Sequence, residues 1–453
     1  MPEGQKDYHI YATSTLTDDR MRVLKHRDLF AVFDRFGEIQ PQPPHPHGAR
    51  GVHGLYLSDM RHLSRLQLRL ADRRPLLLSS TVKEDNALMT VDLTNPDLEF
   101  GDKQVSSDTI HILRSKFLMD DACHEEISLK NYGEEPLRFP LRLSFGADFA
   151  DIFELRGVPR HTRGTISPPH VGRNRVRFLY FGTDGLVRQT TLSFSPVPAT
   201  LEADYALFDI QLAPGWEIKL EFNIITSIRK QEDVAPQERI EEVDHAELII
   251  HHDKSVDYST ALHKLTTQSE IARSQICEVH TNNDLFNHWV ARSSADLYML
   301  TTQTEYGPYP YAGTPWYSTV FGRDGLITAY QCLWILPEMA RGVLAFLAAH
   351  QATEVNDEQD AEPGKIVHEM RQSEMALIKT VPFRYYYGSI DSTLLFIMLA
   401  GAYYERTGDL EFIEELWPHL EAAVAWIEEY GDRNGDGYVE YDRRTAEGLA
   451  QQG

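Results

Sequence analysis

Basic residues are in short supply. Lys and Arg number 44 against 68 Asp and Glu, a net charge of −24 over 453 residues. Binding to nucleic acid or to an anionic membrane surface needs a basic face, and this balance argues against both. Cysteine is scarcer still: Cys123, Cys277 and Cys332 are far apart and odd in number. Such a set makes no disulfide framework and no CxxC metal spacing, and it fits a reducing compartment. Long apolar runs are missing; Leu394 to Ala402 is the longest, far short of the roughly 20 residues that span a bilayer. The opening MPEGQKDYHIY lacks the apolar core of a signal peptide. Neither GxGxxG nor GxxxxGKS/T follows a strand, and there is no GxSxG elbow. The His368-Glu369 pair has no second His four residues after His368, so HExxH is absent too. These absences predict a soluble, acidic, cytoplasmic protein with no cofactor.

What is present is ordinary globular composition, 42% hydrophobic and 25% charged. The length suggests about three domains at roughly 150 residues each. The first half reads as β-structure. Leu137, Phe139, Leu141, Leu143 and Phe145 alternate with Arg138, Pro140, Arg142 and Ser144, the period of a strand with one buried face. Pro140 inside that run favours an edge position. Val176 to Phe181, the turn Gly182-Thr183-Asp184-Gly185 and Leu186 to Phe194 read as a hairpin. Leu66, Leu68 and Leu70 alternate, as do Ile218, Leu220, Phe222 and Ile224. Recurring short strands without long helices imply an antiparallel sandwich. The polar stretch Arg229 to Glu242 and a helix over Tyr258 to Ile276 read as a connection. From Thr281 the period becomes helical, with stripes such as Leu285, Phe286, Trp289 and Val290, and Val343, Leu344 and Leu347. Asp409 caps a helix carrying Leu410, Ile413 and Trp417, and Pro418 suits the first position of a new helix ending at Gly431. The expected organisation is a β-sandwich over 1–227, a linker with a helical segment over 228–280, and an all-α domain over 281–453.

Four clusters are candidates for chemistry. The first, Gly313 to Gly325, combines aromatics with Arg323-Asp324 just before a helix. Aromatic faces stack on sugar rings, and adjacent Arg and Asp hold vicinal hydroxyls. The bland alternative is a helix-start Arg323–Asp324 salt bridge with Asp324 as an N-cap. The second, Pro363 to Arg371, packs Lys365, His368, Glu369 and Arg371 into nine residues; a solvated loop is its bland alternative. The third, Tyr385-Tyr386-Tyr387-Gly388-Ser389-Ile390-Asp391-Ser392, sets tyrosines beside an Asp at a helix start, as a sugar site or as an N-cap with core aromatics. The fourth, Asp432 to Glu440, has the oxygen spacing of a calcium loop, but Arg443 holds the twelfth position, where Glu is expected; a tight turn after a helix reads equally from it, and no metal ligand set is assigned. Weaker signals are His45, His47 and His53, and the acidic trio Asp148, Asp151 and Glu154.

Taken as a set, these segments resemble the bacterial amylo-α-1,6-glucosidase, glycogen debranching-like family. The resemblance rests on Trp316 to Asp324, on Gly364-Lys365-Ile366-Val367-His368-Glu369 and on Tyr387 to Ser392. It also rests on Gly54 to Ser64 and Ala147 to Gly157, and it covers about residues 20–453. It implies an N-terminal antiparallel β-sandwich followed by an (α/α)6 barrel, of which this chain holds the first half. An aromatic-x-Arg-Asp run that grips a terminal sugar carries over to Phe321, Arg323 and Asp324, with Phe where glucoamylases usually have Trp. The implied substrate-binding set is Trp316, Phe321, Arg323, Asp324, His368, Glu369, Tyr387 and Asp391.

The implied reaction is hydrolysis of an α-glucosidic bond with inversion, by two carboxylates about 6.5–9.5 Å apart. The resemblance places the general acid just beyond the segment Glu447 to Gly453 and the base further on, so no acid or base is assigned here. The implied partner is an α-glucan or a small glucoside. Two other readings stand beside it: a non-catalytic carbohydrate-binding protein, and a hydrolase or phosphorylase of a compatible solute such as glucosylglycerate or trehalose.

Overall fold

A computed structural model describes residues 21–41, 51–100, 103–234, 257–274 and 276–440. His45, His47, Arg443 and the segment Glu447 to Gly453 lie outside the described residues. The chain divides into two compact units, with the division near residue 270.

The first unit is an antiparallel β-sandwich. One layer is a nine-stranded sheet. Its main path runs Thr165–Ile166, Arg175–Phe181, Leu186–Ser195, Glu217–Lys230, Ala122–Asn131, Ile110–Met119, Met89–Thr94 and Leu76–Val82. Four strands form a second sheet, in the order Thr200–Leu201, Tyr205–Leu212, Leu137–Gly146, Arg65–Leu70. A five-stranded sheet runs Met21–His26, Leu29–Asp34, Gly54–Leu57, Met60–Leu63, Ala150–Asp151 and leads into a single helical turn, α1 (Ile152–Leu155), capped by the Asp151 side chain. Strict alternation buries every second residue of Leu137–Gly146. Phe145 and Phe208 from the second sheet meet Phe178 and Phe194 from the first, with ring centroids 5.8–6.3 Å apart. Burying each such ring contributes about 1.5–3 kcal/mol.

The expected edge position of Pro140 is not met: its strand lies between two others. The Pro140 carbonyl accepts from Ala71 N at 2.9 Å, so its ring nitrogen faces the same side. There the neighbouring ladder begins only at Leu141 opposite Leu70. Pro140 therefore sits just past the end of that ladder, where a missing N–H costs least.

The hairpin Ile110–Met119 with Ala122–Asn131 carries charge into the core. Lys116 stands directly opposite Glu125. Arg114 Nε donates to Glu125 Oε1 at 2.6 Å, Lys116 Nζ donates to Glu125 Oε2, and all three side chains are fully buried. Burial pushes the Lys116 ammonium down to about 8, against the pull of Glu125. Helix α2 (Tyr258–Ser274) lays Tyr258, Ala261 and Leu265 on Leu88, Phe117 and Met119, and Lys264 pairs with Asp120 at 2.7 Å.

The second unit is helical, of the (α/α)6-barrel type. It contains α3 (Asp284–Leu300), α4 (Gly322–Cys332), α5 (Pro337–Ala349), the short α6 (Glu374–Leu377), α7 (Asp391–Thr407) and α8 (Leu410–Trp426). Helices adjacent in sequence pack on each other, α4 on α5 and α7 on α8, and α4 and α5 also meet α7. Leu326, Val343, Leu344, Leu347, Phe396, Leu399, Phe412 and Leu416 join in one core. Asn283 caps α3 through Phe286 N, Asp409 caps α8 through Phe412 N, and Gly408 ends α7 at φ +68, the left-handed conformation glycine tolerates. No new helix begins at Pro418, which lies inside α8; the helix continues to Trp426 before a π-turn over Ile427–Gly431. Within α3 only Ala295 is buried, whereas Leu285 is 83% and Trp289 64% exposed. Among the described residues no helix is long and apolar enough to cross a membrane.

Candidate functional site

Three segments that are distant in sequence converge at the start of α4. Val320–Phe321 pairs antiparallel with Glu369–Met370, and Glu369 bridges onward to Tyr386. His368 and Glu369 amides both donate to the Tyr386 carbonyl, and Gly322 N donates to the His368 carbonyl at 2.8 Å. The weave leaves no room beside Gly322: a Cβ there would lie 2.1 Å from the Val367 carbonyl oxygen. Phe321 O also takes the Tyr309 hydroxyl at 2.9 Å.

Arg323 and Asp391 meet across this weave, Nη1 to Oδ2, at 3.3 Å, from the first turns of α4 and α7. The Asp391 Oδ1 atom accepts from the Ser389 hydroxyl and, at 3.5 Å, from Ser392. The bland reading of Arg323–Asp324 as a helix-start ion pair is therefore not what forms; Arg323 turns to Asp391 instead. Nor is Asp324 an N-cap, since Phe321 holds that position and has no side-chain cap bond. The half-buried Asp324 carboxylate makes no hydrogen bond or ion pair with any described residue.

His368 is buried, edge-on to Phe321 at 5.8 Å and to Tyr386 at 6.3 Å. Burial lowers its pKa; Glu369 pulls it up, Arg323 pushes it down, and Asp391 and Asp324 pull it up. Its Nδ1 is buried without a hydrogen-bond partner among the described residues. Glu369 binds Arg371 Nε through Oε1 at 2.7 Å. The Trp316 carbonyl accepts from Arg371 Nη2 at 2.8 Å. Six of the eight candidate residues (Phe321, Arg323, Asp324, His368, Glu369 and Asp391) thus share one neighbourhood, and Trp316 joins it through its backbone.

Tyr387 stands apart. Its ring belongs to the helical core and its hydroxyl donates to the His350 carbonyl at 2.9 Å; burial pushes its pKa up to about 12. Phe321 is almost fully buried, whereas Tyr317, edge-on to it at 5.7 Å, is 40% exposed. Tyr317 lies inside the first sequence cluster, and it offers an exposed ring that residue type alone did not single out. A cavity of about 210 Å³ opens beside Arg323 and Asp324, walled by Leu297, Leu300, Tyr311 and Ile327. It joins a carboxylate with no partner among the described residues, a guanidinium with donors to spare and apolar walls, groups that can hydrogen-bond and pack a polyol.

The acidic loop after α8 is a tight turn. Asp432 accepts backbone N–H groups from Gly435, Asp436 and Gly437 at 2.8–3.0 Å. Carboxylate oxygens of Asp432, Asp436 and Glu440 lie within 4.8 Å of one another. In the β-sandwich unit, Asp148 pairs with Arg61 and Glu154 with Arg160 at 3.1 Å.

Residues 24–223 match the family described as the N-terminal domain of some glycogen debranching enzymes. No curated protein matches the chain. Among solved structures, a protein assigned as a kojibiose phosphorylase, from the human microbiome, superposes with a TM-score of 0.53 at 10% identity, over 89% of this chain and 56% of that one. A bacterial glucoamylase complexed with acarbose superposes with a TM-score of 0.49 at 12% identity, over 91% of this chain and 62% of that one. The chain therefore spans less than two thirds of the length of either protein. The phosphorylase likeness establishes a shared fold, a β-sandwich followed by a helical barrel unit.

Proposed function

We propose that this chain binds the terminal sugar of an α-glucan or glucoside at the head of α4 and α7, and that it belongs to an α-glucosidic hydrolase of the amylo-α-1,6-glucosidase kind. The observation that carries the reading is the Asp324 carboxylate. It is half-buried, makes no hydrogen bond or ion pair with any described residue, and lines with Arg323 a cavity walled by apolar side chains. A half-buried carboxylate without a described protein partner keeps acceptor oxygens open, to which a pair of sugar hydroxyls can donate. The match of residues 24–223 to a debranching-enzyme domain supports the same substrate class.

In this reading Asp324 and Arg323 hold vicinal hydroxyls, Tyr317 offers a ring face, and neutral His368 lends a polar edge. The carboxylates present are binding groups. Asp391 is held by Arg323 and two serines, and Glu369 is held by Arg371. The acid and base of an inverting pair are assigned to further barrel helices of a longer chain.

The test is calorimetric titration with isomaltose, maltotriose and trehalose, alongside glucose release with and without phosphate, on the parent and Asp324→Ala. Sugar binding that Asp324→Ala weakens at least tenfold, with an unchanged melting temperature, is the expected result. Equal binding by parent and variant would sink the site assignment. Binding without turnover in a longer chain would favour the non-catalytic reading, and phosphate-dependent turnover the phosphorylase one.

A further inference from the structure

Arg371 belongs to the second sequence cluster but not to the proposed sugar-binding set. Its side chain is fully buried. The backbone amide donates to the Phe383 carbonyl at 2.8 Å. One guanidinium nitrogen, Nε, donates to Glu369 Oε1 at 2.7 Å, and another, Nη2, donates to the Trp316 carbonyl at 2.8 Å. The guanidinium carbon stands 5.5 Å from the centre of the Phe321 ring. A single buried residue thus touches all three segments that build the site.

Glu369 spends only one oxygen on this contact. Its Oε2 has no hydrogen-bond partner among the described residues. A carboxylate anchored through one oxygen by a rigid, planar donor presents the other in a fixed direction. That is the geometry an acceptor for a sugar hydroxyl needs, because orientation held by a supporting shell is what makes a binding group selective. We infer that Arg371 is a positioning residue: it aims Glu369 Oε2 at a substrate hydroxyl and holds the Trp316–Phe321 segment around the same sugar. The inference rests on the sugar-binding reading above.

The experiment is a double-mutant cycle on affinity, using the full chain and the tightest binder among isomaltose and maltotriose. Arg371→Lys keeps the charge and most of the volume but loses the planar fork. Glu369→Gln keeps the shape and loses the charged acceptor. Each single change is expected to weaken binding about tenfold. The double variant should be little weaker than either single one, because both remove the same placed oxygen. A purely structural Arg371 gives a different pattern: a lowered melting temperature, unchanged affinity in the folded fraction, and independent losses in the double variant. That pattern overturns the inference. Glu369→Gln decides the matter even where Arg371→Lys does not fold, since parent-like binding by Glu369→Gln also overturns it. Asp324→Ala separates the two levels. Weakened binding there, with parent-like Glu369→Gln, removes only the role of Arg371. A parent that binds no sugar removes the sugar-binding reading and this one together.

Discussion

Arg323 and Asp391 are 68 positions apart in the chain and 3.3 Å apart in space, each in the first turn of a different helix. Both side chains are more than a third exposed, so the pair itself stabilises the fold by only about 0–1 kcal/mol. Its effect is on shape: it fixes where the heads of α4 and α7 stand. Asp391→Asn is therefore expected to move the melting temperature by no more than about 4 °C and to weaken sugar binding about tenfold. Thermal melting and titration on the same sample check this. A large loss of stability with unchanged affinity would show the pair to be structural.

Gly322 is a steric checkpoint. A methyl group there meets the Val367 carbonyl oxygen at 2.1 Å and the Ser392 hydroxyl at 3.0 Å. The first of these is backbone and cannot swing away. Gly322→Ala should destabilise the helical unit by about 1–3 kcal/mol through overpacking and should disturb the Phe321–Glu369 pairing. Urea titration gives the first effect and sugar affinity the second; a variant as stable as the parent contradicts the described weave.

Glu125 is flanked by two buried cations, Arg114 and Lys116. Glu125→Gln leaves Lys116 without its counter-ion and Arg114 with only Glu38 and Asp34, and should cost about 3–5 kcal/mol. Replacing Arg114, Lys116 and Glu125 together by apolar residues of similar volume should recover most of that loss. Unfolding midpoints of the single and triple variants test the pair of statements, and a triple variant no better than the single one would count against them.

Acid should weaken the β-sandwich unit. His62 is fully buried beneath Phe149, with Nδ1 against the Gln189 carbonyl. Burial and the nearby Arg188 charge lower its pKa from 6.5 to about 3. Above pH 6.5 the ring is neutral in both states and folding is not penalised. As pH falls from 6.5 towards 3, the unfolded chain takes up the proton first, so stability is lost through that window and levels off below it. The slope from one such histidine is at most about 1.4 kcal/mol per pH unit. His26, lowered to about 4, and His124 add in the same direction. His62→Gln should flatten the fall in urea midpoint between pH 6.5 and 4; an unchanged slope would rule His62 out as a contributor.

Much of the architecture was legible because it is written locally. Alternation announces Leu137–Gly146 and the hairpin Arg175–Ser195, and Asp409 announces the start of α8. The hairpin Ile110–Asn131 is harder to read, because Arg114, Lys116 and Glu125 put charge on its core face and break the pattern. Pro140 misleads because a missing N–H matters only where a partner carbonyl waits for it, which depends on neighbours in space; Pro418 gives up the i−4 bond of its own helix, and α8 runs through it all the same. At the candidate site, the sequence marks three clusters by composition. It does not show that Arg323 turns to Asp391 rather than to adjacent Asp324, that Tyr387 points into the core, or that Arg371 joins the three segments. Each of these is a contact across tens of residues.

The exposed helical faces also make the protein its own optical reporter. Of six tryptophans, Trp216, Trp289, Trp334 and Trp417 are more than half exposed, whereas Trp426 is buried with its indole N–H on Glu362 at 2.8 Å. Native emission should be dominated by water-facing indoles, red-shifted and open to iodide. Three of the four belong to the helical unit, so any helix laid over it would announce itself as a blue shift and a loss of quenching, with no label attached.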